Sequence, residues 1–364
     1  MTTPLERLPG VLAAHDVAAV LVGPGADLRY LIGYHALPLE RLTLLVARAD
    51  GEHRLIVPAL ERARAEADGV AVPLLTFAET DDPFALAADA VGGGAAGGLL
   101  GVGDHLWATF LLGLRQALPD ARWIPASLVL RELRMRKTAG EVAGLRRAGA
   151  AIDAVHRRVP GLLQPGRTEA EVGRDIAAAM LAEGHDRADF VIVGSGPNSA
   201  SPHHEVSDRV LRHGDAVVVD IGGPVGGWFS DCTRNYALGA PPEGYREAFD
   251  ALRRAQDAAV AHVRPGVTAA SVDAAARRIL ADAGYGGAFI HRTGHGIGLD
   301  VHEEPYIVAG NELTLEAGMT FSVEPGVYLP DRFGLRIEDI VAVTSDGVER
   351  LNRVDRDLVV VADG

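Results

Sequence analysis

The second half of the chain is written twice. Pro165-Gly-Arg-Thr168-Glu-Ala170-Glu-Val172 returns 100 residues later as Pro265-Gly-Val-Thr268-Ala-Ala270-Ser-Val272, and Gly184 and Gly284 follow at the same offset. Phe190 and Phe289 lie 99 apart, as do His203 and His302. Gly214-Asp-Ala-Val-Val-Val-Asp220-Ile-Gly222 returns as Gly318-Met-Thr-Phe-Ser-Val-Glu324-Pro-Gly326 at an offset of 104. Ordered matches at a nearly constant offset are not what chance produces, even in an Ala/Gly-rich chain. The repeated unit reads as helices followed by antiparallel strands. Two such units can bury their sheets as one core by packing around a pseudo-twofold axis.

Ahead of the repeat lies a stretch of different character, and 364 residues are too many for one ordinary core. Val17–Val22, Leu42–Ala47, Leu55–Val57 and Leu99–Val102 are short apolar runs bounded by Gly, Pro or charge, the pattern of buried strands alternating with helices. Gly92–Gly98 reads as a flexible turn. A break follows near Pro125–Lys137, after which Thr138-Ala-Gly-Glu141 has capping-box spacing. Val142, Leu145, Ile152, Val155 and Val159 then mark one apolar helix face. The expected division is a smaller α/β domain over residues 1–130 and an α+β domain with the internal duplication over 131–364.

Composition narrows the function. A net charge of −14 argues against a nucleic-acid partner, since phosphate binding needs a basic face. No run is long and apolar enough for a membrane helix, and the first residues lack the apolar core of a secretory signal. Cys232 is the only cysteine, which excludes an internal disulfide and suits a reducing compartment. The expectation is a soluble, cytoplasmic protein, and the charge says little about a small-molecule substrate.

The duplication also carries the chemistry. Asp220 ends an apolar run, and Asp231 follows the Gly-rich bend Gly222–Gly227, so a hairpin brings the two carboxylates side by side. In the second half Glu324 stands at the position matching Asp220, and Glu338 follows on the next strand. Four carboxylates cannot converge unpaired, and divalent cations are the natural counter-charge. His295, in Thr293-Gly-His-Gly-Ile-Gly298, adds one nitrogen from a glycine-flanked loop. An oxygen-rich set with one imidazole suits Mn(II), Fe(II) or Co(II) better than a structural thiolate zinc site. Arg336, two before Glu338, would share its strand face and either neutralise the cluster or hold a substrate carboxylate. Cys232 has no accompanying triad motif and reads as a small buried hydrophobe. His156 reads as a satisfied core histidine, and His204 as a bystander.

These residues stand in strings that resemble a known family. The Asp220-to-Asp231 spacing, His291-Arg-Thr-Gly-His295-Gly-Ile-Gly-Leu-Asp-Val-His302-Glu, Val323-Glu324-Pro-Gly-Val-Tyr328 and Leu335-Arg336-Ile-Glu338-Asp look like the creatinase/aminopeptidase "pita-bread" metallopeptidases, within them the Xaa-Pro dipeptidase (prolidase) and aminopeptidase P branch. Asp27-Leu-Arg-Tyr-Leu-Ile-Gly-Tyr34 resembles their creatinase-like N-terminal accessory domain.

The resemblance implies two divalent ions, Mn(II) first, with Co(II), Fe(II) or Zn(II) as alternatives. They would be held by Asp220, Asp231, His295, Glu324 and Glu338, with Asp231 and Glu338 bridging. It makes Glu324 the acceptor of the proton from the attacking water and His291 a hydrogen-bond donor to the tetrahedral intermediate. His203 and His302 would line the proline pocket, with His302 one candidate for protonating the leaving nitrogen. It further implies cleavage of Xaa-Pro dipeptides or short peptides, and a homodimer. The rivals are aminopeptidase P activity on longer peptides, a creatinase-like or methionyl hydrolase of the same fold, and a non-catalytic binding protein. The complete ligand set speaks against the last, and the N-terminal domain against a methionine aminopeptidase.

Overall fold

The computed structural model describes residues 2–361. The chain divides into two compact units, the first ending at Arg134 and the second beginning at Met135. The expected boundary at 130 falls inside the helix Ser127–Arg134. Val129, Leu130 and Leu133 of that helix are buried in the first unit's core, so the helix belongs there whole and the boundary moves to its end.

The first unit is a six-stranded mixed sheet. Its strands are β1 (Val17–Val22), β2 (Leu44–Arg48), β3 (His53–Pro58), β4 (Leu74–Phe77), β5 (Leu99–Val102) and β6 (Arg122–Pro125), in the order β4-β3-β2-β1-β5-β6. Alternate residues of β1 feed opposite faces, as the two-residue period requires. Val20 and Val22 meet Leu8, Leu12 and Leu28 on one side, while Ala19 and Leu21 meet Val91, Phe110 and Leu114 on the other.

The second unit bears out the duplication, because the repeated residues are the ones the backbone conformation demands. Thr168 and Thr268 are both helix N-caps, accepting from the backbone N–H of Glu171 and Ser271. Gly166 and Gly266 have φ of +93° and +90°, and their N–H groups donate to Leu211 O and Leu315 O, each at 2.9 Å. The helices they precede, Glu169–Ala182 and Ala269–Asp282, follow the longer helices Ala139–Leu162 and Tyr245–His262. Thr138 and Glu141 form the expected capping box at the start of the first of these.

Strands follow each helix pair. In the first half β7 (Phe190–Ser195), β8 (Ala216–Val225) and β9 (Trp228–Leu238) form an antiparallel sheet, extended by the later parallel strand Val359–Val361. In the second half β10 (Gly294–Gly296), β11 (Glu303–Ile307), β12 (Thr320–Val323), β13 (Gly326–Leu329), β14 (Phe333–Arg336) and β15 (Asp339–Val343) appear in chain order. There β10-β12-β15 repeats the antiparallel order of β7-β8-β9. The apolar strand expected to end at Asp220 runs on to Val225, and the turn is confined to Gly226–Gly227, because Gly222 to Val225 stay paired across to β9. Among the described residues no helix is long and apolar enough to cross a membrane.

His156 is a core histidine. Burial drives its pKa down to about 3, so the ring is neutral. It sits within 3.0 Å of both the Tyr236 hydroxyl and Cys232 O. Cys232 is fully buried beside it, and burial raises the thiol far from any nucleophilic state.

Candidate metal centre

Register sets the first two carboxylates. In the β8–β9 hairpin Asp220 pairs with Thr233 and Asp231 with Gly222. Residues paired across antiparallel strands share a face, and so do residues two apart, so Asp220 and Asp231 stand diagonally on one face. The second half delivers Glu324 just after β12 and Glu338 just before β15, next to the paired residues Val323 and Asp339. The Glu338 N–H donates to Thr233 O at 3.3 Å, fastening one half of the duplication to the other at the site itself.

His295 occupies the middle of β10, and its glycine neighbours are dictated by contact. A Cβ on residue 294 would lie 1.8 Å from Ser322 O, and one on residue 296 would lie 2.3 Å from Glu304 O. Only glycine lets the histidine strand sit this close to both neighbours. The Ser322 hydroxyl accepts from His295 N–H at 3.0 Å and donates to Glu324 Oε1 at 2.9 Å. His295 Nδ1 lies 3.1 Å from Gly296 O, a contact that requires the proton on Nδ1 and turns the Nε2 lone pair inward. Nε2 is then 3.2 Å from Glu324 Oε1 and 3.6 Å from Asp231 Oδ2.

All five residues line one open cleft. Ligand atoms of Asp231, His295 and Glu338 lie within 4.8 Å of one another, all three residues buried. Asp220 Oδ1 is buried with no hydrogen-bond partner. Burial, and then the charges of Glu338, Asp220 and Glu324, push the Asp231 carboxyl well above the usual range. Burial, followed by Glu324 and Asp220, does the same to Glu338. Burial would raise Glu324 too, but the facing His295, with His291 and Arg336 beyond, lowers it to about 2. An orphaned carboxylate oxygen, an inward imidazole lone pair and mutually repelling carboxylates are the donor set of a hard divalent cation.

Arg336 is the local counter-charge. It is 3% exposed, and its guanidinium donates to Asp220 Oδ2, to the Thr233 hydroxyl at 3.1 Å, to the Tyr328 hydroxyl at 2.7 Å and, at 3.4 Å, to Pro202 O. These protein acceptors leave it the neutralising role, and the expected part in holding a substrate carboxylate does not fit. Thr233, in turn, donates to Glu338 Oε2 at 2.7 Å, so one hydroxyl links the arginine to the carboxylate.

The histidines are distributed less simply than expected. His291 Nδ1–H donates to Arg292 O at 2.7 Å, which leaves Nε2 to accept from the Tyr328 hydroxyl at 2.9 Å. Burial lowers its pKa, against the pull of Glu324. A neutral ring held this way has no free N–H for a tetrahedral intermediate, and the expected donor role for His291 gives way to one of orienting Tyr328. His203 and His302 are exposed on the cleft walls. The His302 ring lies edge-on to His295 at 4.1 Å. Burial, then the charges of His295 and Arg292, lower the His302 pKa to about 4, so it is neutral near pH 7.

Three residues escaped the sequence reading. Thr233 was accessible to it, being two after Asp231 on the same strand face. Tyr328, whose hydroxyl burial pushes up to about 12, was inside a quoted motif but had no visible partner. Glu169 is fully buried and accepts from Ser195, Asn198, Ser207 and His204, the last at 2.7 Å. It thereby fastens the loop that carries His203, and His204 is an anchor of that loop.

Comparison with known proteins places the chain in a family. The model of metallopeptidase family M24 matches residues 143–345, and that of the creatinase/prolidase N-terminal domain matches residues 4–136. The probable dipeptidase PepE of Mycobacterium tuberculosis is 51% identical over 349 residues, 95% of this chain and 92% of its own. The Xaa-Pro dipeptidase of Lactobacillus delbrueckii subsp. lactis is 34% identical over 369 residues, 98% of each chain. The crystal structure of dipeptidase PepE from Mycobacterium ulcerans superposes with a TM-score of 0.94 at 52% identity, covering 99% of this chain and 97% of that one. The chain belongs to metallopeptidase family M24, a metal-dependent peptidase carrying the creatinase/prolidase N-terminal domain.

Proposed function

We propose that this peptidase hydrolyses the Xaa-Pro bond of dipeptides with two divalent ions, Mn(II) in the first instance, held by Asp220, Asp231, His295, Glu324 and Glu338. The observation that carries the reading is the convergence of those five side chains at one cleft whose walls present His203 and His302. Relatives named Xaa-Pro dipeptidase match over nearly the whole chain and support it. Bound there, divalent ions supply Lewis acidity that polarises the scissile carbonyl and makes water a better nucleophile.

The protein's own groups do the rest. Glu324 takes the proton of the attacking water and, being next to the reacting centre, returns it to the leaving proline nitrogen. His302, whose pKa burial lowers to about 4, lines the pocket as a neutral hydrogen-bonding wall near pH 7. An Xaa-Pro bond has no N–H, and a site that grips the carbonyl needs none.

The test is proline release from Ala-Pro beside cleavage of Ala-Pro-Ala, each with Mn(II) and after chelation. Chelator-sensitive cleavage of the dipeptide alone is expected. Efficient cleavage of the tripeptide would make the chain an aminopeptidase P, and no cleavage of either would remove the proline specificity.

A further inference from the structure

Two of the three glycines in Gly294-His295-Gly296-Ile297-Gly298 are explained by the backbones on either side of the ligand strand, and the third is not. A Cβ on residue 298 would instead meet a carboxylate, lying 2.7 Å from Glu303 Oε1 and 3.0 Å from Cδ and Oε2. A loose glutamate would swing aside, but this one is held. Lys137 Nζ donates to Glu303 Oε1 at 2.5 Å, and the two side chains are 2% and 8% exposed. Lys137 is also the only lysine among 35 lysines and arginines. A lysine brings a compact point charge to one buried carboxylate, where a guanidinium's five donors would call for further acceptors.

The pair lies behind the metal centre and not in it. Gly296 of β10 pairs with Glu303 of β11, so these two share a face of the sheet. Their neighbours His295 and His302 share the opposite face, where their rings meet. Lys137 arrives from the far side of β10, in a sheet ordered β11-β10-β12. Its N–H donates to Gly318 O at 2.9 Å and Arg136 bridges to Met319, both just ahead of β12. The ion pair therefore ties β12 to β11 across the back of β10, a strand of three residues with two glycines. Gly298, against which the carboxylate packs, accepts at its carbonyl from Phe229 N–H at 2.9 Å, two residues before Asp231. Neither Lys137 nor Glu303 is among the described residues that line the cleft.

We propose that Lys137 and Glu303 are a positioning pair that sets His295 and the His302 wall in place before the metal arrives. This rests on the metal-centre half of the Xaa-Pro reading and deepens it. A three-residue strand flanked by glycines has little side-chain packing of its own, and the strut behind it supplies what is missing. Without the strut, ordering of the imidazole has to accompany ion binding, and the ion binds more weakly.

The experiment titrates metal-free protein with Mn(II) by calorimetry in the wild type, Lys137→Met, Gly298→Ala and the double variant Lys137→Met/Glu303→Leu. Lys137→Met removes the charge, and Gly298→Ala pushes the carboxylate off it while keeping both charges. In each, one of the two Mn(II) binding steps should weaken by about 10- to 100-fold, the range for outer partners of metal ligands, and the other should hold. High Mn(II) should then restore kcat for Ala-Pro, which it would not do for a misfolded protein. Lys137→Met will also melt earlier, because it strands a buried carboxylate. The double variant leaves no unpaired charge and should recover the midpoint but not the metal affinity. Unchanged Mn(II) affinity in Lys137→Met and Gly298→Ala, or its full recovery in the double variant, would overturn the positioning role and leave the Xaa-Pro activity standing. If Lys137→Met does not fold, Gly298→Ala and the double variant decide. A wild type that binds no Mn(II) would overturn the metal centre and this proposal together.

Discussion

Glu324→Gln is expected to lower kcat for Ala-Pro by about 1,000- to 10,000-fold, the upper range for removal of a positioned general base. The substitution keeps size and shape but removes the charge that accepts a proton. Glu324 is held in place by three contacts: its backbone N–H donates to Thr293 O, and its Oε1 faces both the Ser322 hydroxyl and His295 Nε2. A glutamine can keep the first and one orientation of the second, so the fold should tolerate it. Metal affinity will fall as well, because an amide oxygen is a weaker ligand than a carboxylate. Kinetics are therefore to be read at saturating Mn(II), with binding followed separately by calorimetry. Glu316→Gln is the control, since Glu316 pairs with Arg136 at an exposed surface and should leave kcat unchanged. A saturated Glu324→Gln enzyme retaining a tenth or more of wild-type kcat would remove Glu324 from the proton's path.

The second large effect is on stability and lies behind the metal centre. Asp339 is fully buried and accepts from Arg234 at 2.7 Å, from Gln256 at 3.1 Å and from Arg350. Arg234, 3% exposed, also donates to the carbonyls of Thr233, Glu338, Val354 and Asp355 at 2.6–3.0 Å. It therefore clasps the backbone of a metal-centre residue, Glu338, and of the hydroxyl donor that supports it. Asp339→Ala would strand that guanidinium in the core. A loss of about 3–5 kcal/mol is expected, the cost of breaking a buried pair from one side. In thermal unfolding this is a fall of roughly 10 °C for a unit of this size. Removing both partners in an Arg234→Met/Asp339→Leu double variant should recover much of the loss, since no charge is left unpaired. If Asp339→Ala unfolds within 2 °C of wild type, as roughly 1 kcal/mol or less would give, the pair does not hold the core.

What could be read from the chain is what the backbone itself imposes. Thr168 and Thr268 repeat because each caps a helix, and Gly166 and Gly266 because each needs a positive φ. The ligand residues were legible for a related reason: each sits where a hairpin register or a glycine-flanked strand leaves little choice. The interval from Asp220 to Asp231 is the length of two strand ends and a tight turn. Gly294 and Gly296 mark His295 because a side chain on either would strike a neighbouring carbonyl.

What could not be read are side-chain partnerships made across long separations. Arg336 has acceptors 103, 116 and 134 residues away in Thr233, Asp220 and Pro202, and no local pattern announces them. That is why it read as a possible substrate ligand. His291 read as a free donor for the same reason, its partner Tyr328 being 37 residues on. Glu169 looked like an ordinary acid in the first turn of a helix, and only the fold brings the loop carrying Ser195, Asn198, His204 and Ser207 down onto it.

Metal dependence at this one centre is the property from which the proposed activity follows most directly. Metal-free protein should be titrated with Mn(II) while heat and proline release from Ala-Pro are both recorded. Activity rising from zero and saturating near two ions per chain, abolished again by chelation and not restored in Glu338→Gln, is the predicted result. Proline release that survives exhaustive chelation, or saturation of the protein with Mn(II) that brings no hydrolysis, would contradict it.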